Sequence, residues 1–253
     1  MTAPTSPVRP RRVGGRVLNA FSAAGTVTAI EPVTAHLRRI RIEGDEVARL
    51  SWTPGQQVRV HVTDPLDPHS WRRPRDILRT YSIWRYDGGL ELYALDHDTG
   101  GPGARWAREL EVGQPVTFGR PEGSFVLQGE GEVPYHVFAG EETAAVAFGA
   151  MLAALPATTP AHTLLEVGGP GDRFPLARDV TWLYRDGRPA AASASLLEAV
   201  RRLELPREPG AVYLAGEART VQWLRRHFVS ERGWPRQSVH SKPFWTHGKR
   251  GLD

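Results

Sequence analysis

The sequence changes character at one stretch, YHVFAGEETAAVAFGAMLAAL, which spans residues 135–155. Within it the apolar run Tyr135–Ala139 predicts a strand, and the Ala-rich run Thr143–Leu155 predicts a helix. Downstream, three more apolar runs alternate with two more helical runs, and Ser193 is a candidate N-cap. Strands that alternate with helices predict a parallel sheet. The later strands are expected at Thr163–Val167, Val180–Tyr184 and Ala211–Ala215, and the later helices at Ser193–Leu203 and Thr220–Glu231.

Upstream of this stretch the pattern is that of short alternating runs. Turn signals at Pro54-Gly55, Asp87–Gly89 and Gly113 separate them, which predicts an antiparallel barrel. The six runs are Thr26–Ile30, Leu37–Ile42, Val58–Val62, Arg79–Arg85, Leu90–Leu95 and Pro115–Phe118. The predicted fold is therefore β plus α/β. A loose tail at 1–22 precedes a six-stranded antiparallel β-barrel at 23–125, and a parallel α/β domain with a docked C-terminal tail follows at 133–253.

Composition limits the chemistry that the chain can perform. It has 253 residues and no cysteine, which excludes disulfides, thiolate nucleophiles and cysteine-ligated iron–sulfur clusters. Redox chemistry would need an organic cofactor or a metal held by other ligands. The net charge of +4 suits an anionic small molecule, and no basic stripe with interleaved aromatics predicts a nucleic-acid partner. No apolar run has the length of a membrane span or a signal core, so we expect a soluble cytoplasmic protein.

The first motif with candidate functional residues is Arg79-Thr80-Tyr81-Ser82 on a predicted barrel strand. Residues two apart in a strand share a face, so Arg79 and Tyr81 lie on one face and Thr80 and Ser82 on the other. The planar fork of an arginine suits a pyrophosphate, and a tyrosine ring can stack on a flat ring. Taken alone, such a face is more often ordinary surface packing.

A glycine-rich turn, DHDTGGPGARWA at residues 96–107, is the second motif. It contains a strand end, the turn and the start of a helix. Backbone amides at such a turn attract phosphate, and Gly100, Gly101 and Gly103 would let the main chain come close to a ligand. The same residues are also compatible with a flexible turn that binds nothing.

Two further motifs lie in the α/β half. AGEETA at residues 139–144 follows the first strand, at the position where α/β domains bind ligands, although it is not a G-x-G-x-x-G fingerprint. The C-terminal run WPRQSVHSKPFWTHGKRG at residues 234–251 contains Phe244 and Trp245. Paired aromatics in a terminal segment predict that it docks back onto the body of the protein.

Together the motifs resemble the siderophore-interacting proteins, FAD-containing ferric-siderophore reductases of the ferredoxin-reductase-like superfamily. That family carries R-x-Y-[TS], H-G-x-x-G-P-A-x-x-W-A, A-G-[DE]-E-T-A, W-L-x-R, A-G-E-A and Y-W-R-x-G, in this order. Their counterparts here stand at Arg79–Ser82, His97–Ala107, Ala139–Ala144, Trp182–Arg185, Ala215–Ala218 and Phe244–Gly248. The chain departs from these motifs at Trp84, Asp98, Gly103, Phe244 and Thr246.

The resemblance implies an FAD in the cleft between the domains, with the flavin carrying the chemistry and no catalytic side chain. Arg79 would pair with phosphate, Tyr81 would pack on the isoalloxazine, and Ser82 would bond near its reactive edge. Thr143 would flank the flavin from the α/β side. The predicted cofactor-binding residues are Arg79, Thr80, Tyr81, Ser82, Asp96, His97, Thr99, Gly100, Gly101, Pro102, Gly103, Trp106, Glu142, Thr143 and Ala144.

The resemblance also implies the reaction. Electrons from NADH, NADPH or ferredoxin would pass through the flavin to Fe(III) in a siderophore and release Fe(II). Because the iron arrives on its chelator, no protein metal ligands are expected. Arg173 and Arg185 are weak candidates for a 2′-phosphate. The predicted substrate-binding residues form a basic cleft: Arg59, Lys242, Trp245, Lys249 and Arg250.

Two other classes of function stay open at this point. One is a general NAD(P)H:flavin or ferredoxin-type oxidoreductase without a siderophore substrate. The other is a non-enzymatic protein, either a flavin-binding sensor or a siderophore-binding carrier. A bound flavin in the purified protein would argue against a bare carrier.

Overall fold

A computed structural model describes residues 22–63, 77–96, 101–128 and 133–249. The N-terminal part is a closed antiparallel barrel in the order β1-β2-β5-β4-β3-β6. Each strand overlaps a run that the alternating pattern predicts, which confirms the predicted barrel. The strands are β1 (Ser22–Pro32), β2 (Leu37–Glu43), β3 (Gln57–His61), β4 (Leu78–Tyr86), β5 (Leu90–Leu95) and β6 (Pro115–Gly119).

Strand β2 shows how the alternation builds the barrel. Ile40 and Ile42 are fully buried in the barrel core, whereas Arg39 and Arg41 lie on the opposite, outer face. Leu37 shares that outer face and is buried in the cluster that joins the barrel to the α/β half. The guanidinium of Arg41 lies over the β4–β5 hairpin turn, where a Cβ at Gly89 would come within 2.6 Å of Nη2. Gly89 therefore lets Arg41 cover the hairpin. On the other face of β2, Ile40 and Ile42 fill the barrel interior.

The C-terminal part is a parallel sheet with helices, in the strand order β11-β10-β7-β8-β9. The chain runs from β7 to β8 and β9 on one side, then returns to β10 on the other side of β7. The switch point between β7 and β10 is where open α/β sheets bind ligands. The elements are β7 (His136–Glu141), α2 (Glu142–Ala154), β8 (Ala161–Val167), β9 (Thr181–Tyr184), α3 (Ala194–Arg201), β10 (Ala211–Glu217), α4 (Ala218–Arg226) and β11 (Val239–Trp245), and helix α1 (Pro102–Glu109) lies earlier, between β5 and β6.

The C-terminal segment differs from its prediction. Expected only as a docked tail, it forms strand β11 and pairs in parallel with β10 at the edge of the sheet. Pro243 interrupts any strand signal in the sequence, and an edge strand tolerates it because one side of its backbone needs no partner. The predicted helix Thr220–Glu231 is also divided, into α4 and a π-helical turn at His227–Glu231.

An apolar interface joins the barrel to the α/β half. The ring of Trp84, on β4, stacks on Tyr93 with centroids 4.4 Å apart and lies against α2 at Gly149. Phe125, after the barrel, contacts Phe148 of α2 and belongs to the same buried cluster. Within the described ranges, no helix has both the length and the apolar character that a membrane crossing needs.

Candidate functional site

Strand β4 presents its motif residues on two faces, as the sequence predicts. Arg79 pairs with Val60 and Tyr81 with Val58, and both valines are fully buried in the barrel. Directly paired residues of antiparallel strands share a face, so Arg79 and Tyr81 lie on the barrel-core face. Thr80 and Ser82 pair with Arg59 and Gln57 and lie on the opposite face.

On the core-side face, Arg79 and Tyr81 lie against the start of helix α1. The Tyr81 hydroxyl donates to the carbonyl of Gly103 at 3.1 Å, and its ring lies 5.3 Å from that of Trp106. Burial raises the pKa of Tyr81, so its hydroxyl stays protonated as a donor. A Cβ at Gly103 would lie 3.0 Å from the Tyr81 hydroxyl and 3.1 Å from Cγ of Arg79. The glycine at this position therefore brings the α1 backbone close to both side chains.

Among the described residues, no side chain caps the N-terminus of α1. Its N-cap is Gly101, which has no side chain to cap the helix, and Pro102 occupies the first turn. The amides of a first helical turn have no intrahelical acceptor, so an uncapped terminus beside an arginine is a ready anion site. The residues present therefore fit the diphosphate of FAD.

Asp96 holds this helix in place. Its Oδ1 accepts from Nη1 of Arg108 on α1 at 2.8 Å. The carboxylate is thus engaged with the protein, and a contact of Asp96 with the cofactor remains a prediction. The predicted residues His97, Thr99 and Gly100 lie outside the described residues.

The opposite face of β3 and β4 meets the C-terminal strand. Lys242, on β11, donates its Nζ to Oε1 of Gln57 on β3. Arg59, two residues further along β3, pairs through Nε with Oε1 of Glu122 at 2.7 Å. Burial lowers the pKa of Lys242, the charge of Glu122 raises it, and that of Arg59 lowers it. The structure therefore brings Arg59 and Lys242 together from the two halves of the molecule.

The other predicted substrate residues are separated. Lys249 is exposed in a turn after β11, where its amide donates to the Thr246 carbonyl at 3.1 Å. Arg250 lies outside the described residues. Trp245 points to the switch point, and its Nε1 donates to Oε1 of Glu141 at 2.9 Å. In this arrangement Trp245 ties the C-terminal strand to the end of β7.

Glu141 is a buried carboxyl at the end of β7. Its Oε2 accepts from the Thr143 amide at 2.9 Å and its Oε1 from the Thr143 hydroxyl, which makes Glu141 the N-cap of α2. Burial, helped by the charge of Glu142, raises the pKa of Glu141 to about 7, against the donors from Thr143 and Trp245.

The neighbouring predicted residues also have partners within the protein. Glu142 pairs with the Arg185 guanidinium through both carboxylate oxygens. Because Arg185 is only 9% exposed and held by this pair, it is not available to a 2′-phosphate. Ala144 is fully buried in the cluster between the domains. Direct contacts of Glu142, Thr143 and Ala144 with a cofactor remain predictions.

Glu217 repeats this arrangement at the end of β10. Its carboxylate accepts from the amides of Arg219 and Thr220 at 3.0 and 2.9 Å, and so caps α4. Glu141 and Glu217 were not among the predicted site residues. The sequence does contain a signal for them, because Ala-Gly-Glu occurs twice, at 139–141 and at 215–217.

Two family models match the chain in the order of its domains. The Siderophore-interacting FAD-binding domain matches residues 26–125, and the Siderophore-interacting protein model matches residues 133–248. The chain belongs to the siderophore-interacting protein family. Arg79 and α1 lie in the first matched range, and Glu141 and Trp245 lie in the second, which confirms the resemblance inferred from the motifs.

Similar proteins give this siderophore-interacting protein its context. It is 26% identical to the ferric vibriobactin reductase ViuB of Vibrio cholerae, over 71% of this chain and 68% of the relative. The siderophore-interacting protein SipS of Aeromonas hydrophila is 27% identical, with a TM-score of 0.77 over 91% of this chain and 93% of that one. A ferredoxin reductase of carbazole 1,9a-dioxygenase shares the fold, with a TM-score of 0.67 at 19% identity over 88% of this chain and 69% of that one.

Proposed function

We propose that this protein is an FAD-dependent ferric-siderophore reductase of the cytoplasm, which takes electrons from NAD(P)H or ferredoxin. It would reduce Fe(III) held in a siderophore and release Fe(II). The observation that carries the proposal is the uncapped N-terminus of α1 beside Arg79, with Arg59 and Lys242 at the opposite face of the same strands. The similarity to ViuB supports the choice of substrate class.

The residues at α1 suit a dinucleotide more than a free anion. Arg79 supplies a planar cation and the first turn of α1 supplies amides, which together match a diphosphate. Ser82 lies on the opposite face of β4, paired with Gln57, so its hydroxyl is directed to the cleft side of the barrel. When bound here, FAD would supply the electron transfer to iron.

The cleft residues act on the chelate. A ferric siderophore is bulky and commonly anionic, so it needs an open, positively charged surface. Arg59 keeps 56% of its side chain exposed, and Lys242 reaches the same place from β11. Their charges would bind and orient the chelate. Fe(II) is held far more weakly than Fe(III) by hard anionic oxygens, so reduction would release the metal.

The test is anaerobic reduction of the purified holoprotein with NADH, NADPH and reduced ferredoxin in turn, followed by addition of ferric chelates. Bleaching of the flavin absorbance reports the donor step, and a colorimetric Fe(II) chelator reports the product. We expect about one FAD per chain and Fe(II) formation with a ferric siderophore. A colourless protein would contradict the proposal and favour a siderophore-binding carrier.

A second outcome separates the enzyme classes. If the reduced protein transfers electrons equally well to free flavin, ferricyanide and ferric chelates, it is a general oxidoreductase. If the flavin is bound but no donor reduces it and no chelate reoxidises it, a flavin-binding sensor is favoured.

A further inference from the structure

The helix N-termini of the two domains differ in what fills them. Helix α1 begins at Gly101 without a side-chain cap and lies beside Arg79. Helices α2 and α4 begin at the switch point of the parallel sheet, the edge at which such sheets commonly bind dinucleotide diphosphates. In both, a carboxylate of the chain itself accepts from the first turn: from one amide at α2 and from two at α4.

At α2, the Glu141 carboxylate occupies the position that a diphosphate would need. It accepts from the Thr143 amide at 2.9 Å, and from the hydroxyl of the same residue and Nε1 of Trp245. Its Oε1 would be 2.6 Å from a Cβ at Gly216, so it lies directly against the backbone of β10. The carboxylate therefore fills the gap between β7 and β10.

At α4, Glu217 closes the second terminus. Its Oε2 accepts from the amides of Ala192 and Thr220 at 3.0 and 2.9 Å, and its Oε1 from that of Arg219 at 3.0 Å. Arg185, a sequence candidate for the 2′-phosphate, is already paired with Glu142. At both helix N-termini of the switch point, backbone amides therefore already have an acceptor within the protein.

We propose that Glu141 and Glu217 are specificity determinants that exclude the diphosphate of a nicotinamide dinucleotide from the switch point. This inference rests on the proposed function and refines its electron donor. The ADP half of NADH or NADPH would then add nothing to affinity, and the 2′-phosphate would not discriminate between them. The exclusion acts mainly through occupied donors, since a protonated Glu141 still fills the same space and accepts the same amide.

Direct binding of ADP-ribose to the FAD-loaded protein tests the inference without relying on turnover. ADP-ribose carries the diphosphate but no nicotinamide, and the bound FAD keeps it from α1. By calorimetry we expect a dissociation constant weaker than about 1 mM for the wild type. In parallel, NADH and reduced nicotinamide mononucleotide should reduce the flavin with apparent dissociation constants within about threefold of each other.

Substitution of the carboxylates gives the decisive comparison. Glu141→Ala and Glu217→Ala each free helix amides, because alanine has no side-chain acceptor to cap the helix in place of the carboxylate. At least one of the two should therefore bind ADP-ribose tenfold or more tightly than the wild type. Glu231→Ala removes an exposed carboxylate elsewhere in the same domain and serves as the control, with no change expected. Circular dichroism and FAD content establish that each variant is folded.

Two results would overturn the inference. One is micromolar binding of ADP-ribose by the wild type, or a thirtyfold advantage of NADH over the mononucleotide. The other is that folded Glu141→Ala and Glu217→Ala both fail to gain affinity, which would show that the carboxylates are not the cause. FAD content and chelate reduction by dithionite-reduced protein test the proposed function separately, because neither needs a nicotinamide donor.

Discussion

Arg79 is the single residue on which the cofactor assignment depends most. Its side chain lies against Gly103 at the open terminus of α1, so Arg79→Ala should remove a charge-assisted contact to the FAD diphosphate. The loss should weaken FAD binding by about 2–3 kcal/mol, the scale of a hydrogen bond to a charged group. The measurement is FAD retained after dialysis, together with a titration of the apoprotein. Unchanged FAD occupancy would show that the diphosphate lies elsewhere.

The matched control is Arg85→Ala, on the same strand. Arg85 is exposed and pairs with Asp87 at the hairpin turn, away from α1. Its removal should leave FAD retention unchanged, because an exposed ion pair contributes little. Equal losses in both variants would point to a general weakening of strand β4 and not to a phosphate contact.

Glu141 and Glu217 give an opposed pair of pH dependences. The pKa of Glu141 is raised by burial to about 7, above the usual value near 4.5. Below about pH 4.5 the carboxyl is protonated in both the folded and the unfolded protein, so its burial carries no ionisation penalty. As the pH rises through 7 the free energy of unfolding falls, by up to about 3 kcal/mol in all, because the unfolded chain ionises more readily. Glu141→Gln should abolish this decline, so its stability relative to wild type should rise between pH 5 and pH 8 in urea unfolding.

For Glu217 the sign is the reverse. Burial raises its pKa, but the amides of Ala192, Arg219 and Thr220 together outweigh this, and the net pKa is lowered. Its stabilisation is present above the pKa of the unfolded carboxyl and is lost as the pH falls through the folded value. Glu217→Gln should therefore be less stable than wild type at pH 7, and the difference should shrink toward pH 4. Parallel pH profiles for the two variants would contradict both assignments.

At the scale of single elements, α2 is held against the barrel by a glycine. A Cβ at Gly149 would come within 2.1 Å of the Trp84 ring, which cannot retreat because it stacks on Tyr93 at 4.4 Å. Gly149→Ala should overpack this contact and reduce the free energy of unfolding by about 1–3 kcal/mol, although alanine is the better helix former. Gly171→Ala, with nothing within 4 Å of its Cβ, is the control. A stabilised Gly149→Ala variant would show that the helix can move away.

The elements that could be predicted are those whose pattern is local. Alternating runs predicted the six barrel strands and the two faces of Arg79–Ser82, and Ser193 is the N-cap of α3 that the sequence predicts. Strand β11 could not be predicted in the same way, because Pro243 and Lys242 are acceptable there only through the edge position and the pairing with Gln57. Such a strand is defined by its partners in the fold, which its own residues do not encode.

At the scale of the whole molecule, the cofactor motif was easier to predict than the switch point. The strand Arg79–Ser82 and the turn at α1 are separate short signals, and their juxtaposition follows from the pairing of β4 with β5, the strand that precedes α1. The position of the Glu141 carboxylate at α2 depends in part on its hydrogen bond with Trp245, about a hundred residues later in the chain. Ala-Gly-Glu shows where the two strands end, but only the fold shows that their carboxylates face the backbone amides.

Both domains contribute residues to the proposed basic cleft, so its function can be tested by charges from both sides. Arg59→Ala on β3 and Lys242→Met on β11 should each raise the apparent KM for an anionic ferric chelate. We expect a cost of about 0.5–1.5 kcal/mol for each, because the charges are partly exposed and screened over about 8 Å at physiological salt. Methionine keeps a side chain of similar length while it removes the charge of Lys242, whose Nζ lies 5.7 Å from the centroid of the Phe244 ring.

The measurement is chelate reduction by pre-reduced enzyme at low and high ionic strength, with flavin reduction by the donor followed separately. Arg49→Ala is the control, since Arg49 is exposed beside β1 and β2 on the barrel and outside this cleft. The KM of both cleft variants should approach that of the wild type as salt rises, because screening weakens the attraction that they lack. The donor step should stay unchanged throughout. Salt-independent kinetics, with both variants equal to wild type, would mean that the chelate binds elsewhere or is not the substrate.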